Sequence, residues 1–164
     1  MEQMLKKYNG MKAALFHAGF LDETFKILEG MRDDKNPEFP FEMLSIFLMN
    51  ATTMLHDLRR AVTPSTEDVS RADALVHDIK GICLSIGAMR IKNVAETFRL
   101  YFLANNIKGL QTYRPDLLYF LWPWEYRCIA TAHQLMDEYS LFKQRIDSLM
   151  KLSEEIVSAG GKLT

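Results

Sequence analysis

FEMLSIFLMNATTMLHDLRRAV, residues 41–62, decides the fold class. Its apolar residues Phe41, Leu44, Leu48, Ala51, Leu55, Leu58 and Val62 recur at alternating steps of three and four, the period of one helix face. The spacing predicts a helix of about twenty residues with a narrow buried stripe. Working outward, Leu135, Tyr139, Phe142, Ile146, Leu149 and Ile156 repeat the pattern, with Gly160-Gly161 as a stop. Ile91, Ala95, Phe98 and Phe102 mark another helix closing near Asn105-Asn106. Leu21, Phe25 and Leu28 mark a shorter one that ends before Asn36-Pro37. No segment alternates with period two, so an all-α bundle is expected.

The chain has 164 residues, the usual size of one soluble domain with a single core. Twenty basic residues stand against twenty-one acidic ones, and a formal net charge of −1 provides no global positive field to draw the chain onto nucleic acid or anionic lipid. Met43 to His56 is free of Asp, Glu, Lys and Arg, but it carries Ser45, Asn50, Thr52 and Thr53 and falls short of the roughly 18 apolar residues a membrane span needs. Neither nucleic acid nor membrane is expected as a partner. The first twenty residues hold Lys6, Lys7 and Lys12 among short apolar groups, without the continuous apolar run of a secretory leader. Cys83 and Cys128 lack zinc or disulfide spacing, and His17, His56, His77 and His133 show no ligand pairing along one helix face, so no metal site is expected in a reduced intracellular compartment.

Pro64-Ser65-Thr66 reads as a helix start, with Asp68 as an acidic first-turn residue. The helix that follows carries the chain's one His-x-x-Lys-Gly. At about 100° per residue, Ala72, Leu75, Val76, Ile82, Cys83 and Ile86 cluster around Ile79 and should be buried. Ser70, Asp73, His77, Lys80, Gly81, Leu84 and Ala88 fall on the opposite side and should look outward, with His77 close to the centre of that face.

An outward imidazole is a competent nucleophile near neutral pH and can attack a mixed anhydride such as an aspartyl phosphate. Lys80, three residues on, can reach a phosphoryl group held on that ring and offset its charge. Gly81, four residues on, removes a side chain where a partner's active site must approach. The geometry alone leaves a second reading open, because an ordinary exposed histidine is the commoner occupant of such a position.

The longer string VHDIKGICLSIGAMRIKN, residues 76–93, resembles the signature of histidine-containing phosphotransfer (HPt) proteins, most closely the plant branch. Its flanks agree: GFLDETF at 19–25, NPEF at 36–39, AETFR at 95–99 and IVSAGG at 156–161. The resemblance covers residues 11 to 109 and 128 to 161. It implies a single HPt domain, a four-helix bundle with additional N-terminal helices, acting as intermediate carrier in a phosphorelay. It casts His77 as phosphoryl acceptor and Lys80 and Gly81 as its companions. Gly87 becomes the glycine of a Gly-Ala pair, and Arg90 and Lys92 a basic docking segment, which Asp73 and Leu84 join from the outward face. The implied donors are receiver domains of hybrid sensor histidine kinases, cytokinin receptors among them, and the implied acceptors are response regulators. A monomer moving between cytoplasm and nucleus is expected. No cofactor of its own is expected, since the receiver supplies the aspartate and Mg²⁺.

Three departures stand out. Asp78 replaces the family's glutamine and sets a negative charge beside the acceptor. Ile82-Cys83 replaces a hydroxyl pair, which the wheel reads as a change in packing. Leu110 to Arg127 holds both tryptophans and three of the six tyrosines together with Pro115 and Pro123, and it reads as an aromatic-rich insert between the last two helices. Two functions follow from the signature: an active phosphocarrier, or a decoy that occupies receivers without relaying. Pseudo-members of the family lack the histidine, so His77 favours the carrier.

Overall fold

A computed structural model describes residues 1–33, 36–63, 68–105 and 124–163. Among these residues six helices follow in order: α1 Glu2–His17, α2 Glu23–Gly30, α3 Phe39–Ala61, α4 Val69–Ile86, α5 Met89–Asn105 and α6 Trp124–Ser158. No β-strand forms among the described residues. A lone antiparallel bridge pairs Leu21 with Ala88.

Helices α3, α4, α5 and α6 pack each on the next, and α6 returns against α3, closing a four-helix bundle. Helix α1 lies on α6, and α2 lies against α3 and α4. The predicted stripes of α3 and α6 are buried throughout, whereas Phe102 on α5 and Leu75 and Ile82 on α4 are half-buried at the margin of the core. All seven residues of the α3 stripe are buried, as are Leu135, Tyr139, Phe142, Ile146, Leu149 and Ile156 on α6. Such burial yields roughly 1.5–3 kcal/mol for each large apolar side chain, so these stripes, more than helix propensity, hold the bundle together. The Tyr139 hydroxyl, which enters this core, donates to the Leu48 carbonyl at 2.8 Å.

The corner between α4 and α5 sets the geometry of everything that follows. Gly87 adopts φ +75°, a left-handed conformation that costs glycine no Cβ clash, and α4 ends there. The Gly87 carbonyl then accepts from Asp22 N at 3.0 Å, and Met89 N donates to the Phe20 carbonyl at 3.2 Å. These bonds stitch the α1–α2 connection to the corner. Asp22 also caps α2, its side chain accepting from Thr24 N at 2.8 Å.

Several expectations change here. Ala88, placed outward by the wheel, is fully buried, because the left-handed turn at Gly87 ends the helix and the 100° step no longer applies. Asp68 is the N-cap of α4, accepting from Arg71 N at 3.0 Å, not a first-turn acid; Pro64-Ser65-Thr66 lies outside the described residues. Leu21 precedes the cap of α2 and belongs to the bridge with Ala88. Helix α1, expected only through the family resemblance, does carry a short stripe, with Tyr8 and Leu15 buried. Of the segment read as an insert, residues 110–123 lie outside the described residues. Residues 124–127 are the first turn of α6, so the last helix begins before Cys128.

Candidate functional site

Helix α4 divides as its sequence requires. Ala72, Val76, Ile79, Cys83 and Ile86 are fully buried, while Ser70, His77, Gly81 and Leu84 are exposed. Burial pushes the Cys83 thiol up to about 12, so it sits in the core as a neutral apolar group. Ile82 packs against the same core. The Ile82-Cys83 departure is thus a change of packing.

His77, Asp73 and Lys80 lie on the side of α4 that meets α5, and α5 answers with two residues one turn apart. Arg99 Nη1 lies 2.8 Å from His77 Nδ1, and Arg99 Nε donates to Asp73 Oδ1 at 3.3 Å. Lys80 Nζ lies 3.1 Å from Glu96 Oε1. A guanidinium has only donors, so Nδ1 must accept. That assignment makes the ring neutral, with its proton on Nε2. Among the described residues Nε2 meets no hydrogen-bond partner, and it is the ring nitrogen open to an approaching molecule.

The electrostatics are close to balanced. Lys80 and Arg99 face Asp73 and Glu96 in pairs, and the exposed Asp78 adds one further negative charge. Both cations are therefore already engaged. An arriving phosphoryl group would have to share them, not find them free.

Gly81 sits one turn beyond His77, exposed, with no atom within 4 Å of where a Cβ would stand. Nothing in the packing demands glycine there. Leu84, seven residues on from His77 and so within about 20° of it around α4, is 51% exposed and extends this face with an apolar margin.

The two basic residues expected to share a docking surface part company. Lys92 is seven residues from Arg99, within about 20° of it around α5 and about 10 Å along the axis, so it lies on the His77 side. Arg90 is nine residues from Arg99, about 180° around the helix. It donates to Glu138 Oε1 at 2.6 Å and covers the Phe20 ring at 4.5 Å. Arg90 thus ties α5 to α6 and to the α1–α2 connection, away from His77. Asp73, expected at the docking surface, is half-buried beneath Arg99.

Arg99 and Glu96 carry no role in the sequence reading, although AETFR was part of the family signature. A signal existed: residues three apart on one face of α5 sit across an antiparallel corner from residues three apart on α4. Among the described residues no three His, Cys, Asp or Glu side chains converge as metal ligands, and no described helix is long and apolar enough to cross a membrane.

Comparison with known proteins gives a consistent result. The pattern of the Hpt domain family matches residues 42–138. Histidine-containing phosphotransfer protein 1 of Arabidopsis thaliana is 30% identical over 161 residues, covering 98% of this chain and 93% of that protein. Pseudo histidine-containing phosphotransfer protein 5 of Oryza sativa subsp. japonica is 28% identical over 150 residues, covering 92% and 87%. The crystal structure of a histidine-containing phosphotransfer protein from Medicago truncatula superposes with a TM-score of 0.78 at 32% identity, covering 98% of this chain and 97% of that one.

Proposed function

The chain belongs to the Hpt-domain family, whose members act with receiver domains in histidine phosphotransfer relays, and from that premise we propose that His77 is the residue that carries the phosphoryl group. The observation behind the reading is the exposed ring with Nδ1 held by Arg99 and Nε2 turned to open space. Attack requires the other tautomer: Arg99 releases Nδ1, solvent takes the Nε2 proton and supplies one to Nδ1, and Nε2 is left with a lone pair. That lone pair attacks the phosphorus of a receiver's aspartyl phosphate, and the N–P bond forms as the P–O bond to the aspartate breaks. The electron pair leaves on the carboxylate, the Nδ1 proton departs to solvent, and Nδ1 again accepts from Arg99. Donation to a second receiver is the reverse. Lys80 offsets the phosphoryl charge and Gly81 admits the receiver. The chain's share of the work is positioning and charge compensation. The receiver brings the aspartate and Mg²⁺, so the chain needs no cofactor and is a carrier, not an autonomous catalyst.

The reading extends to the plant branch. The donors are hybrid sensor histidine kinases, including cytokinin receptors, and the acceptors are response regulators reached by movement between cytoplasm and nucleus, with a monomer as the working form. The surface that meets them comprises His77, Lys80, Gly81, Leu84 and Lys92. Asp78 favours a second reading, a decoy that binds receivers without relaying, because its charge opposes an incoming phosphoryl group.

Incubation with a phosphorylated receiver domain separates the two. The carrier acquires acid-labile, base-stable phosphate, and His77→Gln abolishes it while leaving the fold intact, since the exposed ring makes no core contact. Binding to the receiver without any label on the chain would establish the decoy, and label on the His77→Gln chain would move the acceptor elsewhere.

A further inference from the structure

We propose that Glu96 is a positioning residue that holds Lys80 away from the phosphoryl group and thereby keeps the carrier's phosphoryl bond easy to give up. This inference rests on His77 being the acceptor.

Lys80 and Glu96 come from neighbouring helices, and their charged ends meet at 3.1 Å with side chains 29% and 43% exposed. Lys80 is the cation expected to serve the phosphoryl group, yet its ion-pair partner in the resting structure is this carboxylate. Arg99 differs: it stays bonded to the His77 ring while it also holds Asp73. The site thus has one cation tied to the ring and one held in reserve.

A phosphoryl group on Nε2 carries up to two negative charges and competes with Glu96 for the same ammonium. An ammonium has three donors and can serve both, but the two anions then approach each other across it. Glu96 opposes phosphorylation in two ways: it draws Lys80 off, and it repels the new charge. Against this stands the modest benefit of holding the flexible Lys80 side chain in one place. In a half-exposed, solvent-screened site each effect is small, and the two opposing effects act in the same direction. The net result is a phosphohistidine of higher transfer potential than Lys80 alone would allow. That suits a carrier, which must release its cargo as readily as it takes it.

The test measures the equilibrium ratio of phosphorylated chain to phosphorylated receiver, using one isolated receiver domain charged with acetyl phosphate and Mg²⁺. Glu96→Gln should move the ratio toward the chain by roughly three- to tenfold at low salt, and by less as salt is raised. Glu96→Asp, which keeps the charge, should return the ratio toward that of the unmodified chain. In a Lys80→Ala background the Glu96→Gln shift should fall by more than half, the coupling a double-mutant cycle isolates. Helix content by circular dichroism and the urea midpoint check that each variant is folded. An unchanged ratio in folded Glu96→Gln, or a shift of equal size with and without Lys80, would overturn the role given to Glu96. Phosphate on His77→Gln, or none on the unmodified chain, would instead overturn the acceptor assignment.

Discussion

Gly81 separates the demands of folding from those of partner recognition. It lies inside α4 with helical backbone and no atom within 4 Å of a Cβ position, so alanine adds no clash there. Glycine in a helix interior is worse than alanine by about 0.8–1.0 kcal/mol, because it loses more backbone freedom on folding. With no compensating contact, Gly81→Ala should stabilise the chain by about 0.5–1 kcal/mol. For a chain of this length that raises Tm by roughly 1–4 °C. Glutamine is also a good helix former, so Gly81→Gln should be at least as stable as the unmodified chain. Its longer side chain, however, stands one turn from His77 where a receiver must close. Transfer should fall by roughly tenfold or more, since small displacements of reacting groups are costly. Urea unfolding followed by circular dichroism gives the first quantity, and the rate of label transfer from a phosphorylated receiver the second. A less stable Gly81→Ala chain would mean that packing does require glycine here. A stable Gly81→Gln chain that transfers at the unmodified rate would remove this face from the docking surface.

Gly87 should behave in the opposite way. Its positive φ is strained for any side chain, and a Cβ would overlap Asp22 Oδ1 and stand 3.0 Å from Phe25 N, so Gly87→Ala should lower stability by about 2–4 kcal/mol through left-handed strain and a disturbed α2 cap. A loss below about 1 kcal/mol in urea unfolding would show that the corner yields at little cost. Arg99→Ala frees Nδ1 to take a proton, and since phosphohistidine is acid-labile, the phosphorylated chain should lose its label several-fold faster. Arg99→Gln keeps an N–H donor and should recover part of the lifetime, and equal decay of all three chains would remove Arg99 from the mechanism. The Cys83 thiol, pushed up to about 12 from an ordinary 9.0, should resist thiol reagents in a folded Cys128→Ala chain and react once urea unfolds it. Between those two values the unfolded chain binds fewer protons than the folded one, so stability should fall as pH rises through that window. A urea midpoint unchanged between about pH 8 and about pH 10 would contradict the burial of this group.

Helix periodicity is a local property, and what depends on it was legible along the chain. The stripes on α3 and α6, the inward face of α4 and the exposure of His77 all follow from counting threes and fours. The stripe on α1 was present too, but it is short and interrupted by Gly10 among lysines, so it did not stand out from a solvated segment. On the outward face of α4, Ser70, His77, Gly81 and Leu84 are exposed as read, Asp73 and Lys80 are half-buried where α5 covers them, and Ala88 is buried because one left-handed residue changes the direction of the chain. Beyond that corner a wheel has no information. It separates inward from outward, but it does not say which outward residues meet a neighbouring helix. The pairing of His77 with Arg99 and of Lys80 with Glu96, and the removal of Arg90 to the α6 side, depend on the antiparallel register of α4 and α5. That register is set at Gly87 and secured by bonds from Phe20 and Asp22, more than sixty residues earlier in the chain. The exposure of His77 was thus determined by the sequence alone, through short-range geometry. The charges that surround His77 were decided by tertiary structure, because a salt bridge between helices exists only once their faces have been brought together.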